Sequence, residues 1–298
     1  MDPFVFALIA GAAVLHVAWN VLLKTAGDPL RAAAIGMTSA AAVIVPAAAI
    51  GWAIIGRPAV PPEAIWLSVA SGALEAAYFG FLAAAYRRGD LSVVYPIARG
   101  TAPLLAVAVG IGVLGERLGG PGIAGVALLL VGLLTLQRPW RFLRAANRGN
   151  GSGDPAVRFA LATGVMIAAY SAVDRVGARL VEPWFYAGLI WASCMVFLWA
   201  YVWFRRSVLR ARDEVGAFDR RRAAFGGLIT LAAYLLILAA FSVAPLTAVA
   251  PLRESAIVLA SGWGTMRLGE GRDRRETIRR IGASALVVCG AILLAIDG

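Results

Sequence analysis

The sequence predicts an all-α integral membrane protein with about ten transmembrane helices in two inverted five-helix repeats. Three observations carry this prediction: an apolar composition, apolar runs of membrane-spanning length, and motifs shared by the two halves. Of the 298 residues, 60% are hydrophobic and 15% are charged, and the mean hydropathy is +0.78. Soluble domains carry roughly 25% charged residues. The composition therefore excludes a soluble globular protein.

The apolar residues form runs of about 18–25 residues, the length that a helix needs to cross roughly 30 Å of hydrocarbon. Short Arg-rich or Gly/Pro-rich segments separate these runs. The predicted spans are 4–23, 31–55, 64–86, 91–113, 121–138, 157–178, 184–204, 223–242, 247–266 and 279–296.

The basic residues predict the orientation in the membrane. The formal net charge is +11, but the arginines lie in short loops and not along a soluble face, so no nucleic-acid partner is expected. The loops after the odd-numbered spans and their edges hold 22 of the 28 Lys and Arg residues, and the opposite side holds four. The positive-inside rule then predicts a multi-pass protein of the cell inner membrane with both termini outside.

A Gly-rich segment divides the chain into two halves. The run RGNGSGDP at 148–155 has the composition of a flexible linker. We therefore predict a first five-helix repeat at 1–147, a cytoplasmic linker at 148–156 and a second five-helix repeat at 157–298.

Three motifs recur in the same order in both halves. AAYFGFLAAAY from Ala76 matches AAYLLILAAF from Ala232, YPIARG at 95–100 matches APLRES at 250–255, and LGE follows in each half. Because five is an odd number, the second half enters the membrane in the opposite sense, which gives an inverted repeat. Such repeats hold their substrate site at the interface of the halves.

Five ionisable residues lie near mid-depth in the predicted spans, counting about 1.5 Å per helical residue. A charge there costs a few kcal/mol or more unless it has a partner or a water-filled cavity. These residues are His16, Glu75, Arg99, Arg253 and Glu254.

On the first span, His16 and Asn20 are four residues apart and share a helix face with Trp19 beside them. This polar face is a candidate binding surface. Hydrogen bonds that pack one helix against another are the alternative.

On the third span, Glu75 shares a face with Tyr78, and Glu75 is a candidate proton carrier. A fixed ion pair with Arg99 is the alternative role. In the repeat alignment Tyr234 corresponds to Tyr78, which makes Tyr234 a candidate as well.

Tyr95 and Arg99 share a face of the fourth span, where Pro96 and Pro103 loosen the helical hydrogen bonding. Arginine suits bidentate capture of a carboxylate or phosphate, so Arg99 and Arg253 are the candidate ligands of an anionic group.

When the repeats are aligned on Pro96 and Pro251, Arg99 and Glu254 become symmetry mates. We expect them to face each other across the axis, each offsetting the cost of burying the other. On the sixth span, Tyr170 is a further candidate, and Asp174 is placed near the outer end, where a charge is easily solvated.

No cofactor or metal site is expected. The chain has one histidine, and its two cysteines, Cys194 and Cys289, form no CxxC motif. The GxGxxG run at 110–115 follows no soluble strand and is typical of close helix packing. The tryptophans Trp184, Trp191, Trp199 and Trp203 are interpreted as interfacial or packing residues.

HVAWNVLLK at 16–24, AAYRRGDLSVVYPIARGTAPLLA at 84–106 and LGERLGGPGIAG at 114–125 carry a family resemblance. Over nearly its whole length the chain resembles the EamA-type transporters of the drug/metabolite transporter superfamily. The resemblance implies a ten-helix permease with a central cavity that exports amino acids or other metabolites by alternating access. Characterised relatives have cytoplasmic termini, so the resemblance and the charge count disagree on orientation, and we follow the charges.

The function expected from the sequence is export of a small polar metabolite, such as an amino acid or another carboxylate- or phosphonate-bearing solute. The partners are this solute and the lipid bilayer, with a homodimer left open. A lipid flippase or scramblase is the first alternative, and an intramembrane enzyme is the weaker one.

Overall fold

The structure is a computed structural model that describes residues 2–24, 28–88, 91–138, 155–207, 219–254 and 274–297. These ranges contain ten α-helices and no strand. In chain order the helices are α1 (Pro3–Lys24), α2 (Pro29–Ile54), α3 (Pro62–Tyr86), α4 (Leu91–Gly112), α5 (Gly120–Gln137), α6 (Pro155–Gly177), α7 (Pro183–Ser207), α8 (Arg220–Val243), α9 (Leu246–Glu254) and α10 (Arg274–Asp297).

Five of these helices, α2, α3, α6, α7 and α8, are long and apolar enough to cross a membrane. The all-helical class is thereby confirmed, and the chain has the character of a membrane protein. The ninth predicted span, 247–266, is described only as far as Glu254.

Helix ends depart from the predicted spans where polar residues continue a helix. Helix α10 begins at Arg274, five residues before the predicted start at 279, because arginines extend the helix beyond its apolar part. Helix α6 begins at Pro155, so the predicted linker at 148–156 overlaps the helix by two residues. Proline fits there because the first helical residue needs no N–H partner. Residues 148–154 lie outside the described ranges.

Acidic caps fix the starts of α2 and α8. The Asp28 carboxylate accepts hydrogen bonds from the N–H groups of Leu30 and Arg31, at 3.0 and 3.2 Å. Asp219 does the same for Arg221 and Arg222. Both caps satisfy N–H groups that have no partner inside the helix.

The helices pack mainly between the first five and the last five, and only lightly within each set. Helix α3 lies on α6 and α7, and in the same way α8 lies on α1 and α2. Helices α5 and α10 pack together, as do α2 with α7 and α4 with α9. The two halves are therefore interleaved.

Glycines allow the closest of these approaches. A Cβ atom on Gly227 of α8 would collide with the Gly36 carbonyl oxygen of α2. On α5 and α10, a Cβ atom on Gly125 would lie 2.8 Å from the Gly290 carbonyl oxygen. Small residues at such positions let membrane helices touch along their backbones.

Candidate functional site

The predicted site residues converge in the centre of the helix bundle. Nine of the eleven have described side chains, and of these His16 is half-buried and the other eight are buried. The eight are Trp19, Glu75, Tyr78, Arg99, Tyr170, Tyr234, Arg253 and Glu254. The side chains of Asn20 and Tyr95 lie outside the described residues, so their roles stay predictions.

Arg99 and Glu254 form a buried ion pair between α4 and α9. Arg99 Nη1 lies 2.9 Å from Glu254 Oε1, and their side chains are 9% and 5% exposed. Arg253 Nε approaches the same oxygen at 3.4 Å. The contact expected between Arg99 and Glu254 is present in the structure. Within this trio, two guanidinium groups share one carboxylate.

The trio reaches α6 through Ser171, whose hydroxyl accepts a hydrogen bond from Arg253 Nη1 at 3.4 Å. His16 of α1 lies within electrostatic range of Arg99 and Arg253. The His16 Nδ1–H group donates to the Ala12 carbonyl at 2.9 Å, which fixes the ring on its own helix. The trio therefore lies near both α6 and α1.

A second polar cluster surrounds Asp174 of α6. Its carboxylate accepts hydrogen bonds from the Ser71 hydroxyl, at 2.6 Å, and from the Tyr234 hydroxyl. Asp174 lies near the end of α6, as expected. It is fully buried, however, so the expected solvation of its charge is wrong. Ser71 of α3 and Tyr234 of α8 cover that end of the helix.

Glu75 belongs to this second cluster. The charged groups that act on it are Asp174 and Arg253, while the ion pair of Arg99 is with Glu254. One carboxylate oxygen of Glu75, Oε1, is buried with no hydrogen-bond partner among the described residues. The cluster thus holds two carboxylates that influence each other electrostatically.

A repeat signal could have identified Asp174. Aligning Asp28-Pro29 with Glu182-Pro183, the starts of α2 and α7, places Asn20 opposite Asp174 and His16 opposite Tyr170. Each half then carries a polar pair four residues apart on its first helix.

Aromatic rings connect the two clusters. Trp19 contacts His16 and Phe79, Tyr78 contacts Phe79 and Tyr170, and Tyr234 contacts Tyr170 and Trp191, with ring centroids 4.8 to 6.5 Å apart. Trp191 is 1% exposed and belongs to this group, whereas Trp203 on the same helix is 65% exposed. Trp203 therefore fits the interfacial role and Trp191 the packing role, the two roles expected of these tryptophans.

A third cluster lies at the opposite ends of α6 and α8 from the Arg-rich loops. Glu116 accepts the N–H groups of Leu246 and Thr247, the first residues of α9, at 2.7 and 2.9 Å. Arg175 approaches Glu116 at 3.3 Å and donates to the Phe241 carbonyl at 2.6 Å. These contacts join the two halves, and sequence comparison had identified Glu116 only as part of a repeated LGE.

The geometry of that LGE motif explains its glycine. Gly115 has φ +66°, a left-handed conformation that most residues avoid. The turn brings the Glu116 N–H group to the Gly110 carbonyl at 2.9 Å and aims the side chain at α9.

A small cavity of about 30 Å³ opens beside the starts of α2 and α8. Its lining residues are Trp19, Ala32, Ala33, Gly36, Met37, Phe79, Trp191, Arg222, Ala223, Gly226, Gly227 and Thr230. Trp19, Phe79 and Trp191 belong to the aromatic group, so the pocket adjoins the buried clusters. Among the described residues, no group of three or more His, Cys, Asp or Glu side chains could hold a metal ion.

Comparison with known proteins gives the fold alone. No family model matches the chain, and no curated protein matches it. A solved structure described as "Crystal structure of protein" is similar, with 22% identity, a TM-score of 0.67, and coverage of 99% of this chain and 98% of the other. The helical arrangement is therefore shared over the full length of both chains.

Proposed function

We propose that this protein is an inner-membrane transporter that exports a small anionic metabolite by alternating access. In this proposal all ten helices cross the membrane as two inverted five-helix repeats, as the resemblance to EamA-type transporters implies. The substrate bears a carboxylate or phosphonate group, and the site lies between the halves.

The buried ion pair of Arg99 with Glu254 is the observation that carries the proposal. Burying a charged pair costs desolvation that its attraction repays only in part, so such a pair is a poor device for stability. Ionisable groups inside a membrane protein typically mark the path of a substrate or ion. Here the pair lies where α4 of one half meets α9 of the other.

The packing pattern supports the inverted repeat. Shifting every helix number by five converts the contacts of α3 with α6 and α7 into those of α8 with α1 and α2. The pairs of α5 with α10, α2 with α7 and α4 with α9 map onto themselves. This is the pattern expected when a two-fold axis relates the halves.

In the proposed mechanism, an anionic group competes with Glu254 for Arg99. The empty carrier keeps the ion pair closed, and substrate binding releases Glu254, which remains compensated by Arg253. Glu75 and Asp174 take up or release a proton in the same cycle. Proline supports the rearrangement, because Pro251 in the middle of α9 removes one helical hydrogen bond.

Metabolite profiling tests the proposal. Cells with the wild-type protein should deplete an anionic metabolite internally and accumulate it outside, and Arg99→Ala should return both pools to those of cells lacking the protein. Arg158→Ala is the matched control, because Arg158 is an exposed arginine on α6. Identical metabolite pools with and without the wild-type protein would contradict transport. In a separate assay, scrambling of a labelled lipid by vesicles that contain the protein would favour the flippase or scramblase alternative.

A further inference from the structure

A larger cavity borders the Glu116 cluster at the end of α6. Its volume is about 380 Å³, which lies within the roughly 300–1,000 Å³ of small-molecule sites. Three charged and three apolar residues line it, namely Glu116, Arg175, Arg179, Leu114, Val176 and Leu180. The lining therefore combines a charged group with an apolar surface.

The two arginines exceed the negative charge beside them. Glu116 is the one carboxylate among the described lining residues, and it is already held by two backbone N–H groups of α9 and by Arg175. The side chain of Arg179 is exposed and makes no hydrogen bond or ion pair within the described ranges. Its charge acts on Arg175, four residues earlier, and like charges repel. Over the described lining, one positive charge is left without a counter-ion.

The distribution of basic residues along the sequence also points to this cavity. The sequence places only four Lys or Arg residues on the membrane side opposite the Arg-rich loops. Arg175 and Arg179 line the cavity, and a third, Arg117, directly follows Glu116. The fourth, Arg57, lies beyond the end of α2. Positive charge on the side where it is scarce is thus concentrated at one place.

The apolar part of the lining is suited to lipid. Val176 and Leu180 are 38% and 39% exposed, and Val113, next to the lining residue Leu114, is 76% exposed. A soluble anion gains nothing from such a border, whereas acyl chains cover it. The arginines lie at the end of α6, and basic side chains at helix ends reach the level of the lipid headgroups.

We propose that this cavity binds the headgroup of an anionic glycerophospholipid, with Arg175 and Arg179 as the ligands of its phosphate. Arginine suits phosphate geometrically, and basic pockets between membrane helices bind lipid headgroups. A zwitterionic headgroup would add a positive charge to a cavity that already has one in excess. The bound phosphate offsets the repulsion between the arginines, next to the contact that joins the two halves. The inference requires a membrane around the protein but no transport.

Quenching of a fluorophore at the cavity tests the proposal. In a Cys289→Ser background, which removes the exposed cysteine, Leu180→Cys is labelled with bimane. The full chain is reconstituted in phosphatidylcholine vesicles that contain spin-labelled phosphatidylglycerol or spin-labelled phosphatidylcholine. The two quenching curves give the relative affinity of the lipids at the cavity. We expect phosphatidylglycerol to be preferred about fivefold.

Removing one arginine should remove this preference. Arg179→Ala should lower it below about twofold, and Arg175 stays in place because it also holds Glu116. Arg57→Ala is the matched control, because Arg57 is exposed at the same end of the bundle but outside the cavity. The end of α2 meets the start of α7 there, where Trp52 stacks on Phe185. This control should keep the preference.

Equal quenching by the two lipids in the protein with both arginines would overturn the proposal. So would an unchanged preference in a folded Arg179→Ala protein, or an equal loss in Arg57→Ala, which would indicate a general surface attraction. Arg179→Gln replaces the alanine variant if size exclusion shows that the latter misfolds.

Inorganic phosphate added at constant ionic strength separates a lipid from a soluble anion. A retained preference for phosphatidylglycerol supports the lipid site, and its loss would assign the cavity to a soluble phosphate and overturn the proposal. Because quenching requires no transport, failure here leaves the metabolite profiling of Arg99→Ala to judge the proposed function separately.

Discussion

The two ion pairs that join the halves differ in how their carboxylates are held. Glu116 accepts two backbone N–H groups from α9, and its partner Arg175 is itself fixed to a backbone carbonyl. Glu254 receives Arg99 and Arg253, two long side chains. A carboxylate held by backbone amides stays where the fold puts it, whereas one held by flexible side chains can exchange partners. We therefore expect Glu116 to act as a structural clamp and Glu254 to take part in the proposed transport cycle.

The largest expected effect is on transport at the central pair. Arg99→Ala should abolish transport while leaving a folded protein, because Arg253 still compensates Glu254. Glu254→Gln should slow the cycle more than it weakens substrate binding, since Arg99 remains available to the anion. Export rates and the amount of monodisperse protein are measured together. If the Arg99→Ala protein failed to insert, the Arg99–Glu254 pair would be structural as well, and its contrast with the Glu116–Arg175 pair would be lost.

At Glu116 we expect the opposite pattern. Glu116→Gln removes the charge that serves Arg175 and two helix-end N–H groups, at a cost of about 1–3 kcal/mol, and should lower the thermal unfolding temperature. Transport by the protein that still folds should continue. Glu63→Gln is the control, because Glu63 is exposed in the first turn of α3. Loss of transport without loss of stability would make Glu116 part of the mechanism.

A smaller effect on transport, which depends on the proton gradient, is expected at Glu75. Glu75→Gln removes a titratable group but little volume, so the protein should insert normally and transport should weaken or lose its dependence on a proton gradient. Uptake into vesicles at several pH values measures this. Wild-type rates with an unchanged pH profile would exclude Glu75 as the proton carrier.

A reporter fused after Gly298 should leave transport unchanged. Its signal should show on which side of the membrane the Glu116 clamp lies. The end of α10 and the loop beside Glu116 line one open cleft, with Leu294 and Arg117 both at its wall. The positive-inside rule puts that side outside the cell. A reporter active only in the cytoplasm would reverse the orientation and place the clamp inside.

The helices and the central pair were accessible to sequence analysis for a physical reason. Arg-rich or Gly/Pro-rich segments between apolar runs mark the helices, and the two aligned prolines supplied a register that predicted the contact of Arg99 with Glu254. Such an alignment identifies which residue of one half corresponds to a given residue of the other, and it requires no knowledge of how the helices pack.

Features that depend on backbone groups or on covering helices were not predicted. The clamp at Glu116 uses backbone N–H groups, which all residues except proline carry. No residue pattern therefore predicts it. Burial of Asp174 depends on α3 and α8, which are distant in sequence. No residue pattern shows that the indole N–H groups of Trp19 and Trp191 have no hydrogen-bond partner among the described residues.

The interleaving of the helices has a consequence for biosynthesis. Glu254 is 155 residues beyond Arg99, so at about 5–20 residues per second the ribosome supplies it roughly 8–30 s later. During that interval the first half has neither this counter-ion nor the helices that cover it. Arg99 must then be shielded by the insertion machinery, by water or by lipid headgroups, and a pause in synthesis of the second half would expose the nascent chain to quality-control proteolysis.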